Sequence, residues 1–217
     1  MEQERKTPNS CEGWEGSFER VREWLDSQGR EYPLSSQVSL HRYCSLLYIA
    51  SGRLNLISPN DRKELAVRHV LPSLLMGKVL QMLPRRVVLD FGSGAGIPGI
   101  PLKILHPESR FILVESRRKR ANFLREVVRQ LRLTAVEVYN ERIEDLHQAL
   151  PEGVDVVVTR AASNLQHLMS WVGLVLKPHG TVIATLDQTR GFHQSVAILV
   201  RSRGEVLGQN HWFGLIR

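Results

Sequence analysis

The sequence predicts an α/β fold in which a mainly parallel sheet carries helices on both faces and follows a helical N-terminal extension. Three observations predict it. After Pro84 come five short runs, RVVLDF, RFILVES, AVEVYN, VDVVVTR and TVIATL, with helical stretches between them. Four of them are nearly continuous apolar runs, the pattern of strands covered on both faces. Before Pro84, apolar residues instead recur every three or four positions, the period of a helix face.

In chain order, residues 1–16 (MEQERKTPNSCEGWEG) are polar and charged with little to bury, and read as a disordered leader. Residues 17–84 read as a helical extension of two to four helices. Phe18, Val21, Trp24 and Leu25 form one apolar face, Leu40, Tyr43 and Leu47 a second, and Leu65, Val70, Leu74 and Leu75 a third. Pro72 lies inside the third pattern and is expected to kink or interrupt it, because proline has no amide proton to donate. Residues 85–217 carry the strands, with the clearest helix over 117–132, and residues 204–217 are expected to add two more short strands. A chain of 217 residues is long enough for one such core.

Composition narrows the function classes. Lysine and arginine number 29 against 22 acidic residues, a formal net charge of +7 that favours a polyanionic partner, although the same excess also serves solubility. No run of eighteen apolar residues occurs, and the polar N-terminus does not read as a secretory signal, so a cytoplasmic location without membrane attachment is expected. Cys11 and Cys44 lack a Cys-x-x-Cys partner and the eight histidines lack metal-ligand spacing, so neither a disulfide framework nor a metal site is expected.

The stretch DFGSGAGIPGIPL joins the first strand to its helix. Gly92, Gly94 and Gly96 let the backbone bend sharply and let a ligand approach the amides with no Cβ in the way. Such a turn also serves as packing punctuation. What turns it towards a nucleotide-like ligand is Glu115, about twenty residues on at the end of the second strand, where a carboxylate can accept both hydroxyls of an adenosine ribose. A dinucleotide fold places glycine at the third position of Gly-x-Gly-x-x-Gly, whereas Ile97 stands there in this chain. Asp90, just before the turn, would repel a pyrophosphate but suits the cationic amino and sulfonium end of S-adenosyl-L-methionine.

DFGSGAGIPGIPL, LVESRRKRANFL, ERIEDL and VVVTRAAS, in that order and spacing, together with RLNLISPN and RHVLPSLL upstream, closely resemble the glucose-inhibited division protein B family, the bacterial 16S ribosomal RNA guanine-N7 methyltransferases. The resemblance runs from about Leu54 to Ala184. It implies a Rossmann-like class I methyltransferase fold with a seven-stranded sheet whose final strand is antiparallel. It further implies that Gly92 and Ile97 line the methionine and ribose part of the cofactor site, with Gly94 in the same turn, and that Ile143 and Glu144 border the adenine. Arg160 would stand between cofactor and incoming nucleotide. Glu115 matches an acidic position where many members carry Asp. Two positions depart from the family pattern: Pro72 replaces the usual Asp, and Leu186-Asp187 replaces a common Lys-Gly.

The chemistry follows from the target atom. Guanine N7 carries an exposed lone pair, so its methylation needs alignment and no base. No Asn/Asp-Pro-Pro-aromatic motif follows the fourth strand, where Thr159-Arg160-Ala161-Ala162 stands instead, and no cysteine follows Cys44 to act as a nucleophile. No residue is therefore assigned as a general base; Arg160 is the one side chain placed to assist, by pairing with a carboxylate or phosphate or by stacking on the base. Arg118, Lys119 and Arg120, opening the helix after Glu115, are assigned to phosphates of the RNA. Helical geometry puts Arg118, Arg125, Arg129 and Arg132 within an arc of about 60°, a basic stripe beside the apolar face. His69 is noted without a role. The expected partner is 16S ribosomal RNA or the small ribosomal subunit, met by a monomer. Three alternatives stand beside this reading: a small-molecule methyltransferase, an RNA-binding assembly factor with a vestigial cofactor pocket, and, more distantly, a nicotinamide-dependent oxidoreductase.

Overall fold

The computed structural model describes residues 13–28, 32–83, 86–160, 171–186, 195–202 and 205–211. Seven strands form one sheet: β1 (Val87–Phe91), β2 (Arg110–Val114), β3 (Val136–Tyr139), β4 (Val154–Arg160), β5 (Leu176–Leu186), β6 (Ser195–Ser202) and β7 (Glu205–His211). Their order is β3-β2-β1-β4-β5-β6-β7. The first five run parallel, with β1 paired to both β2 and β4, while β6 runs antiparallel to β5 and β7 antiparallel to β6. Chain direction across the sheet therefore reverses between β1 and β4, and the carboxyl ends of the central strands open there into a crevice.

Side chains alternate as coverage on both faces demands. Val88 and Phe111 pack with Met76, Val79, Leu80 and Leu102 on one face, while Leu89, Ile112 and Val114 pack with Leu146 and Leu150 on the other. The helices after β1, β2 and β3 are α4 (Gly99–Leu105), α5 (Arg118–Gln130) and α6 (Ile143–Ala149). Helix α5 buries Ala121, Phe123, Leu124 and Val127 along one side, as its spacing predicts.

The N-terminal region comprises α1 (Glu15–Ser27), α2 (Leu34–Leu54), a 3₁₀ turn (Pro59–Asp61), a π-helical turn (Ala66–Val70) and α3 (Leu71–Gln81). It has no core of its own. Phe18, Leu40, Tyr43, Leu47, Leu65 and Leu74 share one apolar cluster with Ile97, Ile100, Leu113 and Leu124 of the sheet layer. The division at 84/85 thus marks a change of secondary structure and not a separable packing unit.

Three expectations are corrected. The leader does not extend to Gly16: α1 begins at Glu15, and Trp14 is buried, its indole edge-on to Phe18 with ring centroids 5.9 Å apart. A large apolar ring close to a helix start finds the helix's own buried face, which polar composition alone does not show. Within 204–217 the described residues, 205–211, form one strand, β7; β6 forms earlier, from Ser195–Ser202, and the strand antiparallel to β5 is this penultimate one. Pro72 does not break the third helical segment. It lies in the first turn of α3, directly after the π-helical turn Ala66–Val70, so the helix continues through it and changes type just before the residue that lacks an amide proton. Cys44 is buried on α2, while Cys11 and Asp187 lie outside the described residues.

Candidate active site

The turn after β1 is held in shape from four directions. Gly92, Gly94 and Gly96 take φ of +69°, +54° and +91°, left-handed values that favour glycine. Ser93 donates its amide to Val114 O at 2.9 Å, tying the turn to β2. Asp90, fully buried at the end of β1, accepts the Gly99 amide through Oδ2 at 3.0 Å and so fixes the start of α4. Tyr43, fully buried on α2, donates its hydroxyl to Ala95 O at 2.9 Å. Burial holds that phenol well above the ordinary tyrosine range, so it remains a donor.

Glu115 closes the fourth side. Its Oε2 accepts the Gly94 amide at 3.0 Å and its Oε1 accepts the Arg117 amide at 2.7 Å. One carboxylate therefore bridges the glycine turn and the start of α5. Asn140, after β3, supports the same segment by donating to Glu115 O and Ser116 O, each at 2.9 Å.

The two amides that this carboxylate accepts belong to different hollows, Gly94 to one and Arg117 to the other. One, of about 150 Å³, is lined by Gly92, Ser93, Gly94, Ala95, Ile97, Leu56, Ile57, His69, Arg120 and Arg160. The other, about 610 Å³, is lined by Ser116, Arg117, Asn140, Glu141, Arg142 and Asp145 beyond the ends of β2 and β3. The second alone falls within the usual size range of small-molecule sites. Three features fit an elongated cofactor with an adenosine at one end and a cationic group at the other. A Cβ built on Gly92 meets nothing within 4 Å, so space lies open beside the turn. Asp90 Oδ1 is buried with no partner among protein atoms. Each Glu115 oxygen, bound to one amide, keeps a second lone pair for a hydroxyl.

The electrostatics of the first hollow are unusual for a basic protein. Burial pushes Asp90 up to about 7, and Glu115 nearby adds to the effect against the hydrogen bond from Gly99. His69 is pushed down to about 4 by burial first and then by the charge of Arg160, with Asp61 opposing. The hollow thus presents a neutral imidazole and two guanidinium groups, while the Asp90 carboxyl is buried outside its lining.

The structure brings together Gly92, Gly94, Ile97, Glu115 and Arg160 from the sequence-predicted set. It places Arg120 differently from Arg118 and Lys119. Arg120 lines the hollow and donates to Asn55 O at 3.3 Å, linking α5 to the αL residue that caps α2, whereas Arg118 and Lys119 are exposed outside it. Ile143 and Glu144 open α6 next to the second hollow, and their side chains lie outside the described residues. In the basic stripe Arg129 pairs with Glu126 through two nitrogens, at 3.0 and 2.6 Å, and Arg125 donates to Asn122 and Val138 O. Tyr43, Leu56, Ile57 and Ser93 carry no role in the sequence reading. The signal for Leu56 and Ile57 was their position within RLNLISPN; for Tyr43 there was none, because its place in a helical apolar face reads as core.

Five parallel strands in the order 3-2-1-4-5, with a glycine turn after the first and a carboxylate after the second flanking hollows at the switch point, define an S-adenosyl-L-methionine-dependent methyltransferase of the Rossmann-like class. Within that class, the family model for rRNA small subunit methyltransferase G matches residues 36–193, and the chain belongs to that family. Among the relatives, the ribosomal RNA small subunit methyltransferase G of Yersinia enterocolitica is 37% identical over 161 residues, covering 74% of this chain and 76% of that protein. The protein of the same name from Chlorobaculum tepidum is 33% identical over 169 residues, covering 78% of this chain and 76% of its own. Among solved structures, a protein-L-isoaspartate O-methyltransferase from Plasmodium falciparum with S-adenosyl-L-homocysteine is similar at a TM-score of 0.48, 16% identity, 80% of this chain and 95% of that one.

Proposed function

We propose that this protein methylates N7 of a guanine in 16S ribosomal RNA, working as a cytoplasmic monomer. The observation that carries the reading is Glu115 itself, whose two oxygens bind the amide of Gly94 in the smaller hollow, where Arg120 and Arg160 also stand, and the amide of Arg117 in the cofactor-sized one. Family membership supports RNA as the substrate class. Among the described residues no helix is long and apolar enough to cross a membrane.

In this reading the glycine turn and Glu115 hold the adenosine, and Asp90 faces the cationic end. S-adenosyl-L-methionine supplies a methyl group on a positively charged sulfur. Ile97 and Ser93 shape the wall beside it. Ile143 and Glu144 border the adenine. Arg160, at the end of β4, meets the incoming nucleotide and holds its N7 in line, so that the lone pair displaces the sulfur without proton removal. Arg120 spans from α5 to Asn55 and keeps the N-terminal region against the cleft. Arg117, Arg118 and Lys119, exposed at the mouth, meet phosphates of the RNA. Residues 17–84 are one wall of the site, which suits a unit acting together with 85–217.

Transfer of labelled methyl to small-subunit RNA from cells lacking the gene tests the reading. Digestion should yield one N7-methylguanosine. Arg160→Ala should slow transfer more than it weakens cofactor binding. A methylated base other than guanine, or transfer to a small molecule in place of RNA, would overturn it.

A further inference from the structure

His69 occupies a position that the proposed reaction does not yet use. It lies in the π-helical turn Ala66–Val70, a rare conformation found frequently at functional sites. Its ring lines the first hollow opposite the glycine turn, together with Ser93 and Arg160. Its Nε2 is buried with no hydrogen-bond partner, 3.7 Å from Asp61 Oδ2. Asp61 is itself held rigidly: Oδ2 accepts the Ser58 hydroxyl at 2.8 Å, and Oδ1 pairs with Arg68. The fixed carboxylate, 3.7 Å from Nε2 and beyond hydrogen-bond distance, acts on the ring through its charge and favours the proton on that nitrogen.

We infer that His69, oriented by Asp61, contacts the target guanine, with Nδ1 accepting a hydrogen bond from the base's N1–H or exocyclic amine. The inference rests on the reaction proposed above. With the proton on Nε2 towards Asp61, Nδ1 keeps its lone pair and acts only as an acceptor. Guanine offers donors on that edge, whereas adenine presents an acceptor at N1, so an acceptor-only group favours guanine. The contact also assists the chemistry. As N7 takes the methyl, positive charge spreads over the purine and its N1–H becomes a stronger donor, so the bond to a neutral acceptor strengthens in the transition state. A protonated imidazole would do the reverse. Burial first, then the charges of Arg160 from β4 and Arg68 on its own turn, with Asp61 opposing, leave the ring neutral through the physiological range. Asp61 in this scheme is a positioning residue; His69 touches substrate.

The test uses the full chain, target RNA made without the modification, and labelled S-adenosyl-L-methionine. His69→Leu is expected to lower kcat about tenfold to a hundredfold, the size of one lost hydrogen bond to a developing charge, with cofactor affinity by calorimetry within twofold of wild type. His69→Asn, which keeps an acceptor, is expected to recover part of the loss. Asp61→Asn is expected to fall between them, because it removes the tautomer bias and leaves the imidazole. Equal kcat for His69→Leu and wild type overturns the inference while the proposed function stands. So does loss of cofactor affinity in His69→Leu with transfer unchanged at saturating cofactor, or an Asn variant no better than Leu. A wild-type product other than N7-methylguanosine overturns the proposed function, and this inference with it.

Discussion

The hydroxyl of Tyr43, on α2, donates to the carbonyl of Ala95 in the glycine turn at 2.9 Å, across 52 residues of sequence and wholly out of solvent. One hydrogen bond thus joins the helical N-terminal region to the loop that faces the cofactor. Removing the donor leaves the Ala95 carbonyl buried without a partner, at a cost of about 1–3 kcal/mol. Tyr43→Phe is expected to unfold at lower urea by that amount and to bind S-adenosyl-L-methionine several-fold more weakly. A variant destabilised but with unchanged affinity would show that the turn keeps its shape without α2.

The glycines of the motif fail for different reasons when replaced. At Gly92 the structure shows open space, so a Cβ meets no protein atom and carries only the strain of a left-handed residue, about 1–2 kcal/mol. Gly92→Val should therefore remain folded while binding no S-adenosyl-L-methionine, because its side chain fills the ligand's space. Gly99→Ala should do the opposite. Its Cβ would come within 2.5 Å of Asp90 Oδ2 and 2.6 Å of Leu113 Cδ2, an overpacked core that costs about 1–3 kcal/mol. Paired melting curves and calorimetry separate the two.

Glu115 serves two tasks, and Glu115→Gln isolates them. The carboxylate accepts one amide at each oxygen, whereas glutamine has a single oxygen and turns an N–H towards the other amide. The ligand-free variant is expected to melt lower by about 2–4 °C for each kcal/mol lost. Its cofactor affinity should drop at least about tenfold, as expected for a lost charged acceptor. An unchanged melting temperature beside weakened binding would confine Glu115 to the ribose.

Asp90 gives the site a pH dependence with a defined sign. Its carboxyl is held at about 7, above its value in an unfolded chain, so the folded protein binds this proton more tightly. The stability it contributes is fully present below the unfolded value and is lost as pH rises through about 7. Asp90→Asn has no such proton, so wild type should lose stability relative to that variant between pH 4 and pH 8. The cationic end of S-adenosyl-L-methionine favours the carboxylate form, so its affinity should rise over pH 6 to 8 with release of a proton. Calorimetry in two buffers of different ionisation enthalpy measures that release. Its persistence in Asp90→Asn would assign it elsewhere.

How much of this was legible in the sequence depends on the range of the interaction. The strands VVLDF, RFILV and VDVVVTR are readable because burial on both faces leaves continuous apolar runs, and α5 because one face repeats with the helical period. The glycine turn and Glu115 are readable as well, since backbone bends and strand ends fix where they go within about twenty residues of each other. Ser195–Ser202 was missed although Val196–Val200 is itself a continuous apolar run; its antiparallel pairing with β5 is what only the sheet decides.

The sequence by itself determined the kind of fold, the carboxylate after β2 and the family of motifs that the chain carries. These are local matters of period, turn chemistry and spacing. Only the tertiary structure decided that α2 grips the glycine turn through Tyr43, that Arg120 reaches back to Asn55, and that His69 faces Arg160 across a cleft with Asp61 behind it. Each of those pairs joins distant segments through one buried or cleft-lining side chain. A single residue that is apolar, basic or aromatic reads the same in one dimension whether it fills a core or shapes a site, and packing in three dimensions is what distinguishes the two.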